Sequence, residues 1–488
     1  MAEDCVRAVV RRNAYADSIT LLQITASTAQ LQGVLDAALV MATDLNRDVL
    51  RDSGLLPEDA QAAGANDLVI AVRASDDATA QAAIAHAEAA LDRRAAAASN
   101  ANDLEPSRSL RSAMKTLPQA NLTIVSVPGP FAAGEARQAL ALGLHVFLFS
   151  DNVSLEDEID LKRAARERGL LVMGPDCGTA IINGVGLGFA NVVRRGRIGL
   201  IGASGTGIQE VSCLLDRAGQ GISHAIGTGG RDLHESVGGL ATLQAIELLG
   251  DDPATDTIVL ISKPPSPVVA QRVIDAATGT GKRVVACLLG VSAVDRSGIQ
   301  SASNLYQAAR MAAPSTATWD GFGARDLPRL RLSEGQREVR GFYCGGTLCE
   351  EAELAIDNSV GHELVDFGAD QYTQGRAHPM IDPTLRNQAL LEAARDPRVA
   401  VLLLHVILGY GAHMDPAGAV APTLREAMDR AAADGRQLAI LAHVVGTPAD
   451  PQGLAHQEDT LRAAGAHLFS SNHHAAVAAS LLLEGAVA

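Results

Sequence analysis

Apolar positions along the chain fall into two rhythms, short runs of β-branched and aliphatic residues and longer amphipathic stretches. In the first hundred residues, "SITLLQI" alternates like a strand and a helical stretch follows it. "DLVIAVRA" reads as a second strand and "TAQAAIAHAEAALDRR" as an alanine-rich helix. This predicts a small α+β unit over residues 1–108. Small and polar residues place a linker near Ala95 to Ser109.

From Leu122 the alternation becomes regular. Leu122 to Val127, His145 to Phe149 and Leu170 to Met173 read as strands with amphipathic helices between them, the pattern of βαβ units around a parallel sheet. "SLEDE" offers Ser154 as an N-cap and acidic first-turn residues for a helix over Ile159 to Arg168. This second region covers 109–193 and ends in the glycine-rich "GPDCGTAIINGVGLGFANVV".

The remainder repeats itself. "IGLIGASGTGIQEVSCLLDRAG" (Ile198 to Gly219) matches "VRGFYCGGTLCEEAELAIDN" (Val339 to Asn358), "SHAIGTGGRDL" matches "HELVDFGADQY", and "GKRVVACLLG" matches "GRQLAILAHVVG". A repeat this long is a duplicated α/β domain, not a solenoid unit. The copies are expected over 194–318 and 339–488, joined by the polar stretch Trp319 to Glu338. The predicted fold class is α/β, with several Rossmann- or flavodoxin-like parallel-sheet domains after the N-terminal unit.

Length and composition narrow the classes. A chain of 488 residues suggests about three or four domains. A formal net charge of -16 argues against nucleic acid or an anionic membrane as partner. No signal-like start or membrane-length apolar run stands out, so a cytoplasmic location is expected. Six cysteines without CxxC spacing predict reduced thiols and no metal site, and Cys344 and Cys349 point to different helix faces.

Candidate chemistry lies at the expected strand ends, where ligands collect in such sheets. In each copy a glycine turn precedes a helix: Ser204, Gly205, Thr206 and Gly207 in the first, Gly345, Gly346 and Thr347 in the second. Helix starts carry unpaired N–H groups and the positive end of the dipole, so phosphate or carboxylate is the natural ligand. Glycine turns also serve close packing alone. Gly229 and Gly230 precede Arg231 and Asp232, a cationic fork or a surface ion pair. Lys263, one of four lysines, ends a strand before prolines and is read as facing an anion. "QGRAHPMID" supplies Arg376, His378 and Asp382, "LGYGAHMDP" supplies Tyr410, His413 and Asp415, and "AHVVGTPADPQ" supplies His443, Thr447 and Asp450. His378 or His413 could act as a general acid or base, although a single histidine also serves packing. Cys177 reads as a small buried thiol.

"VPGPF", "GPDCGTAII", "GASGTGIQE" and "GTGGRD" resemble the α-subunit of succinyl-CoA synthetase, and the second copy resembles the ligase domain of its β-subunit. "GPDCGTAIINGVGLGFANV", "GGRDL", "SKPP", "GRAHPMIDPTLRNQ" and "GTPADPQ" resemble more closely the FdrA family of succinyl-CoA-synthetase-like proteins, over nearly the whole chain. The resemblance implies a CoA-binding-like domain over 109–193 and two ligase-like domains over 194–318 and 339–488. Two departures matter. The stretch "VSAVDRSGIQSASNLYQ" contains no histidine where the synthetase carries its phosphohistidine, and Lys263 replaces the glutamate that faces it. No ATP-grasp domain is found, and the first βα turn of the CoA site has no counterpart.

The FdrA resemblance implies carbamoyl transfer in purine and allantoin degradation, with oxalurate and phosphate giving oxamate and carbamoyl phosphate. The alternative is an acyl-CoA ligase or a CoA-binding regulatory protein. In the first reading Ser204 to Gly207 and Gly345 to Thr347 cradle phosphate, with Gly229, Gly230, Tyr410 and His413 lining the site. Arg231, Lys263 and Arg376 clamp carboxylate or transition-state charge, and His378 shuttles a proton. No cofactor is required, CoA being the one the domains suggest. The expected partners are small anionic substrates and other carbamoyltransferase subunits in an oligomer.

Overall fold

The computed structural model describes residues 4–14, 16, 18–101, 107–291, 298–319, 327–328, 331–333, 335–373 and 377–484. It divides into two compact units, one of Met1–Arg108 with Gln371–Asp382 and one of Ser109–Asp370 with Pro383–Ala488.

The first unit runs β1 (Cys5–Arg11), α1 (Ser18–Ala29), β2 (Val34–Met41), α2 (Asp44–Asp52), β3 (Leu68–Ala74) and α3 (Asp77–Ala101). Its three strands pair antiparallel in the order β1-β3-β2. "SITLLQI" is not a strand but the start of α1. Leu21, Ile24 and Thr28 are buried, the three- and four-residue spacing of one helix face, and the apparent alternation was incidental. The expected linker from Ala95 is helical as far as Ala101.

The second unit begins with α4 (Leu110–Thr116), β4 (Leu122–Val125), α5 (Gly129–Ala141), β5 (His145–Leu148), α6 (Leu155–Glu167) and β6 (Val172–Met173). Its strands form a parallel sheet, β4-β5-β6. Ser154 caps α6 by accepting the Asp157 N–H at 3.1 Å.

The glycine-rich stretch then forms a hairpin, β7 (Thr179–Ile182) and β8 (Val185–Gly188), turned by Asn183 and Gly184 with positive φ. The hairpin continues the sheet of the first repeat, made of β9 (Arg195–Gly202), α7 (Gly205–Arg217), β10 (Ile222–Gly227), α8 (Leu240–Asp251), β11 (Thr257–Ser262), α9 (Pro267–Gly279), β12 (Arg283–Leu288), β13 (Ile299–Ser301) and α10 (Leu305–Ala312). Strand order is β13-β12-β11-β9-β10-β7-β8. Phe147, Met173 and Cys177 share one core with Ile201, Ile226 and Leu260, so the three-stranded sheet is packed onto this one.

The second repeat comprises β14 (Glu338–Tyr343), α11 (Gly346–Ala355), β15 (Gly361–Asp366), α12 (Asp370–Thr373), α13 (Thr384–Arg395), β16 (Val399–Ile407), α14 (Pro416–Ala433), β17 (Ala439–Val445), α15 (Leu454–Ala463), β18 (His467–Phe469) and α16 (Asn472–Glu484). Its parallel order, β15-β14-β16-β17-β18, is that of the first repeat without the added hairpin. The duplication read from sequence is therefore a duplication of topology. In both sheets the first strand lies between the second and third, so chain connections leave it in opposite directions and a crevice opens at its carboxyl end.

Candidate functional site at the meeting of two helix starts

Both crevices face one another. In the first repeat β9 ends at Gly202, and Ser204 turns the chain into α7, its Oγ accepting the Gly207 N–H at 2.9 Å. In the second repeat β14 ends at Tyr343, and Gly345 starts α11 without a side-chain cap. A β-carbon on Gly345 would strike the Thr206 side chain, with Oγ1 only 2.6 Å away. The two helix starts are in contact because the glycine leaves room for the threonine. Ser204, Thr206 and Thr347 are buried at this joint.

Two charged groups flank it. A β-carbon on Gly346 would collide with Lys263 Nζ and lie 3.0 Å from Asp366 Oδ2. Lys263 follows β11 of the first repeat and is exposed, while Asp366 ends β15 of the second. The Asp366 carboxylate accepts the Gly368 N–H at 2.9 Å. Burial pushes its carboxyl up, opposed in turn by the Gly368 N–H, Lys263 and the Gly345 N–H. Two helix dipoles, an ammonium and a protonatable carboxyl therefore meet at one place.

Other expected ligands are used inside the protein. Arg231 Nε donates to Glu158 Oε2 at 2.9 Å and its Nη2 to the Val153 carbonyl at 2.8 Å. Lys162 Nζ joins Glu158 at 2.7 Å, Asp232 at 2.8 Å and the Thr228 carbonyl at 3.0 Å, all buried. The Arg231 fork is thus spent fastening α6 to the first repeat instead of projecting as an anion clamp. A β-carbon on Gly229, at φ 88°, would sit 2.5 Å from the Pro175 carbonyl oxygen, whereas one on Gly230 would meet only Asp176 Oδ2, at 3.8 Å. Beside them Asp176 is exposed, its backbone at φ 53°.

Tyr410 donates its backbone N–H to the Ala190 carbonyl at 2.8 Å, and its half-exposed ring faces Gly186. His413 Nδ1 accepts the Asp415 N–H at 3.0 Å. These contacts tie the loop after β16 to the hairpin and to itself, not to the helix starts. Asp450 is a clamp too. It accepts Asn191 Nδ2, the Val192 N–H and the Thr447 N–H, each at 2.8 Å. His443 is buried, with Nε2 2.8 Å from Glu210 Oε2. His378 lies in the stretch grouped with the N-terminal unit, where burial pushes its imidazole down to about 4 and Nδ1 accepts the Met380 N–H at 3.2 Å. Arg376 lies outside the described residues, as do residues 292–297 of the stretch without histidine. Cys177 is the buried thiol expected, pushed up to about 12 by burial.

Two features escaped the sequence reading. Asp366 stands where the first repeat has Gly227, a break in the repeat that aligning the copies residue by residue would have exposed. Glu210 and Glu351 occupy equivalent places one turn into α7 and α11, a glutamate pair inside otherwise apolar helix faces. Among the described residues no group of three or more His, Cys, Asp or Glu is arranged to hold a metal, and no helix is long and apolar enough to cross a membrane.

Known proteins share these parts. Residues 342–482 match the family described as CoA-ligase and residues 193–290 the CoA binding domain. Residues 3–107 match the domain described as AllF, heavy metal-associated. The uncharacterized protein YahF of Escherichia coli K12 is 44% identical over 499 residues, covering 96% of this chain and 96% of that protein. The chain belongs to the YahF family. Its fold is that of a succinyl-CoA-synthetase-like protein, mixed α/β with several parallel-sheet domains after a small N-terminal α+β unit. This YahF-family chain is also 32% identical over 146 residues to the α-subunit of ADP-forming succinate–CoA ligase from Methanothermobacter thermautotrophicus, covering 29% of this chain and 48% of that subunit. It thus spans about half the length of that subunit. The apo dinucleotide-forming acetyl-CoA synthetase 1 of Ca. Korarchaeum cryptofilum is 18% identical, covering 74% of this chain and 82% of that one at a TM-score of 0.33, too low a likeness to bear on the site. The CoA-binding match lies on the first repeat, whereas the resemblance placed the CoA-binding-like region at 109–193.

Proposed function

We propose that the chain is a carbamoyltransferase subunit that interconverts oxalurate plus phosphate with oxamate plus carbamoyl phosphate. The observation that carries this reading is the contact of the two helix starts beside Lys263, in a chain with no histidine in the loop that would carry a phosphoenzyme. A phosphate oxygen attacks the carbamoyl carbon, the bond from that carbon to the oxamate nitrogen breaks, and the nitrogen takes a proton. Lys263 and the first-turn N–H groups of α7 and α11 hold the phosphate and the developing oxyanion. Asp366, held toward its protonated form, gives the proton to the leaving nitrogen and regains one from phosphate. This takes over the role the sequence reading gave to His378.

A second reading, an acid–thiol ligase or CoA-binding regulatory protein, is favoured by the CoA-binding and CoA-ligase matches, which speak for it more directly than for carbamoyl transfer. Against it, the stretch Val291 to Gln307, after the fourth strand of the first repeat, holds no histidine to carry a phosphoryl group.

Phosphorus NMR of the chain with oxalurate and phosphate, alone and with its companion subunits, separates the two. Carbamoyl phosphate formation that is lost in Lys263→Ala supports transfer. Thioester formation from CoA, an acid and a nucleoside triphosphate, without carbamoyl phosphate, overturns it.

A further inference from the structure

Beneath the two helix starts the repeat places two buried glutamates. Glu210 lies one turn below Thr206 in α7, and Glu351 one turn below Thr347 in α11, at 1% and 2% exposure. Each takes a hydrogen bond from the other copy. Glu210 Oε1 accepts the Asn472 backbone N–H at 3.2 Å at the start of α16, and Glu351 Oε1 accepts the Leu305 N–H at 2.7 Å at the start of α10. Asn472 joins them, because its Nδ2 donates to Glu351 Oε2 at 2.8 Å and to the Leu348 carbonyl at 2.9 Å. A sheared or rotated α11 would break the three contacts of Glu351 and Leu348 together.

The charges in this cluster are unequal. His443 presents Nε2 to Glu210 and Nδ1 to the Phe469 carbonyl at 3.0 Å. The Phe469 carbonyl can only accept, so Nδ1 donates to it and Nε2 is left facing Glu210. Burial pushes the Glu210 carboxyl up, but His443, then Arg217 and the Asn472 N–H, outweigh it and the net direction is down. The hydrogen-bond partners of Glu351 are the amides of Leu305 and Asn472, neither charged. Two carboxylates sharing one buried place do not both ionise. Around the cluster, Glu351 faces Glu210 from α7, Tyr343 from β14 and Cys287 from β12, while His474 of α16 faces Glu210, His443 and Arg310.

We propose that Glu210, His443, Asn472 and Glu351 are positioning residues that fix the spacing of the two helix starts, with Glu210 as the carboxylate and Glu351 as the neutral acid. The proposal rests on the reading that phosphate is held between those starts. Burial, then Glu210, pushes the Glu351 carboxyl up to about 8, against the pull of the Asn472 amide and the Leu305 N–H. A raised carboxyl contributes stability that is complete below the unfolded value of about 4.3 and is lost as pH rises through the folded value. Above that pH a second buried negative charge forces the helices apart.

The test uses the full chain, inorganic phosphate as probe, and Glu351→Gln, Glu210→Gln and Asn472→Ala. Glu210→Gln should weaken phosphate binding by about tenfold or more because the buried His443 loses its carboxylate partner, a larger loss than Glu351→Gln causes. Parental affinity should fall as pH rises through about 8, and that of Glu351→Gln should not. Equal losses in both variants, or identical pH profiles, overturn the proposal. Melting temperature against pH gives a readout that survives failure of the phosphate reading. The parent should lose stability through about pH 8 while Glu351→Gln holds it, and parallel curves refute the assigned charges. If Glu210→Gln does not fold, Asn472→Ala carries the test. It should fold and bind phosphate more weakly, and unchanged affinity there refutes the positioning role.

Discussion

At the scale of single residues, Lys263 and Gly345 matter most, and each acts through where its backbone stands. Lys263 follows a strand of the first repeat and reaches the helix start of the second, adding its charge to the positive end of that helix dipole where an anion would sit. Lys263→Met should leave the melting temperature nearly unchanged, because the side chain is exposed, and weaken phosphate binding by about tenfold, the effect of about 1.4 kcal/mol. Calorimetric titration with phosphate checks this. Gly345→Ala is a different perturbation. Its methyl group would enter the Thr206 side chain, so the variant should lose about 1–3 kcal/mol in denaturant melts as the joint is forced open. Lys263 was legible because a rare lysine stood at a strand end. Asp366 was not, because an aspartate after a strand is common and only its place opposite another domain's lysine gives it a role.

At the scale of elements, sequence rhythm found the βαβ alternation and failed where packing overrode it. α1 begins with residues that alternate over a short window, and only the longer burial period of Leu21, Ile24 and Thr28 marks a helix. Gly174 to Val193 was read as the end of the second region, and it forms an added hairpin at the edge of the first repeat's sheet. Three loops that looked like ligand-bearing strand ends fasten domains instead, since a polar side chain at a strand end reads alike in both uses. Asp450 gives the clearest check. Asp450→Ala removes the acceptor for Asn191, Val192 and Thr447 at once and leaves their donors buried, so stability should fall by about 1–3 kcal/mol per donor left unpaired. Lys162→Met should cost about 3–5 kcal/mol at α6, because Asp232 would remain buried without its cation and Glu158 would keep only Arg231. Chemical denaturation of each variant decides both.

At the scale of the whole molecule, the duplicated strand order explains why one chain presents two helix starts to one point, and no third domain is needed to form the joint. The repeat was legible in the sequence as matched turns and helices. Their contact was not, because neither Gly345 nor Thr206 encodes the orientation of the copies, and that orientation is held by Asp450, Arg217 and the Glu210–His443 pair. The chain resembles a synthetase in architecture and departs from it at the residues that would carry a phosphoryl group. The most direct test is a melting-temperature comparison of the chain with phosphate, carbamoyl phosphate and oxamate on one side and CoA and ATP on the other. A ligand at about 100 times its dissociation constant adds about 2.7 kcal/mol of stability. The account predicts stabilisation by the first set, cut to about 1.4 kcal/mol in Lys263→Met. Stabilisation by CoA or ATP alone, unaffected by that substitution, would contradict it.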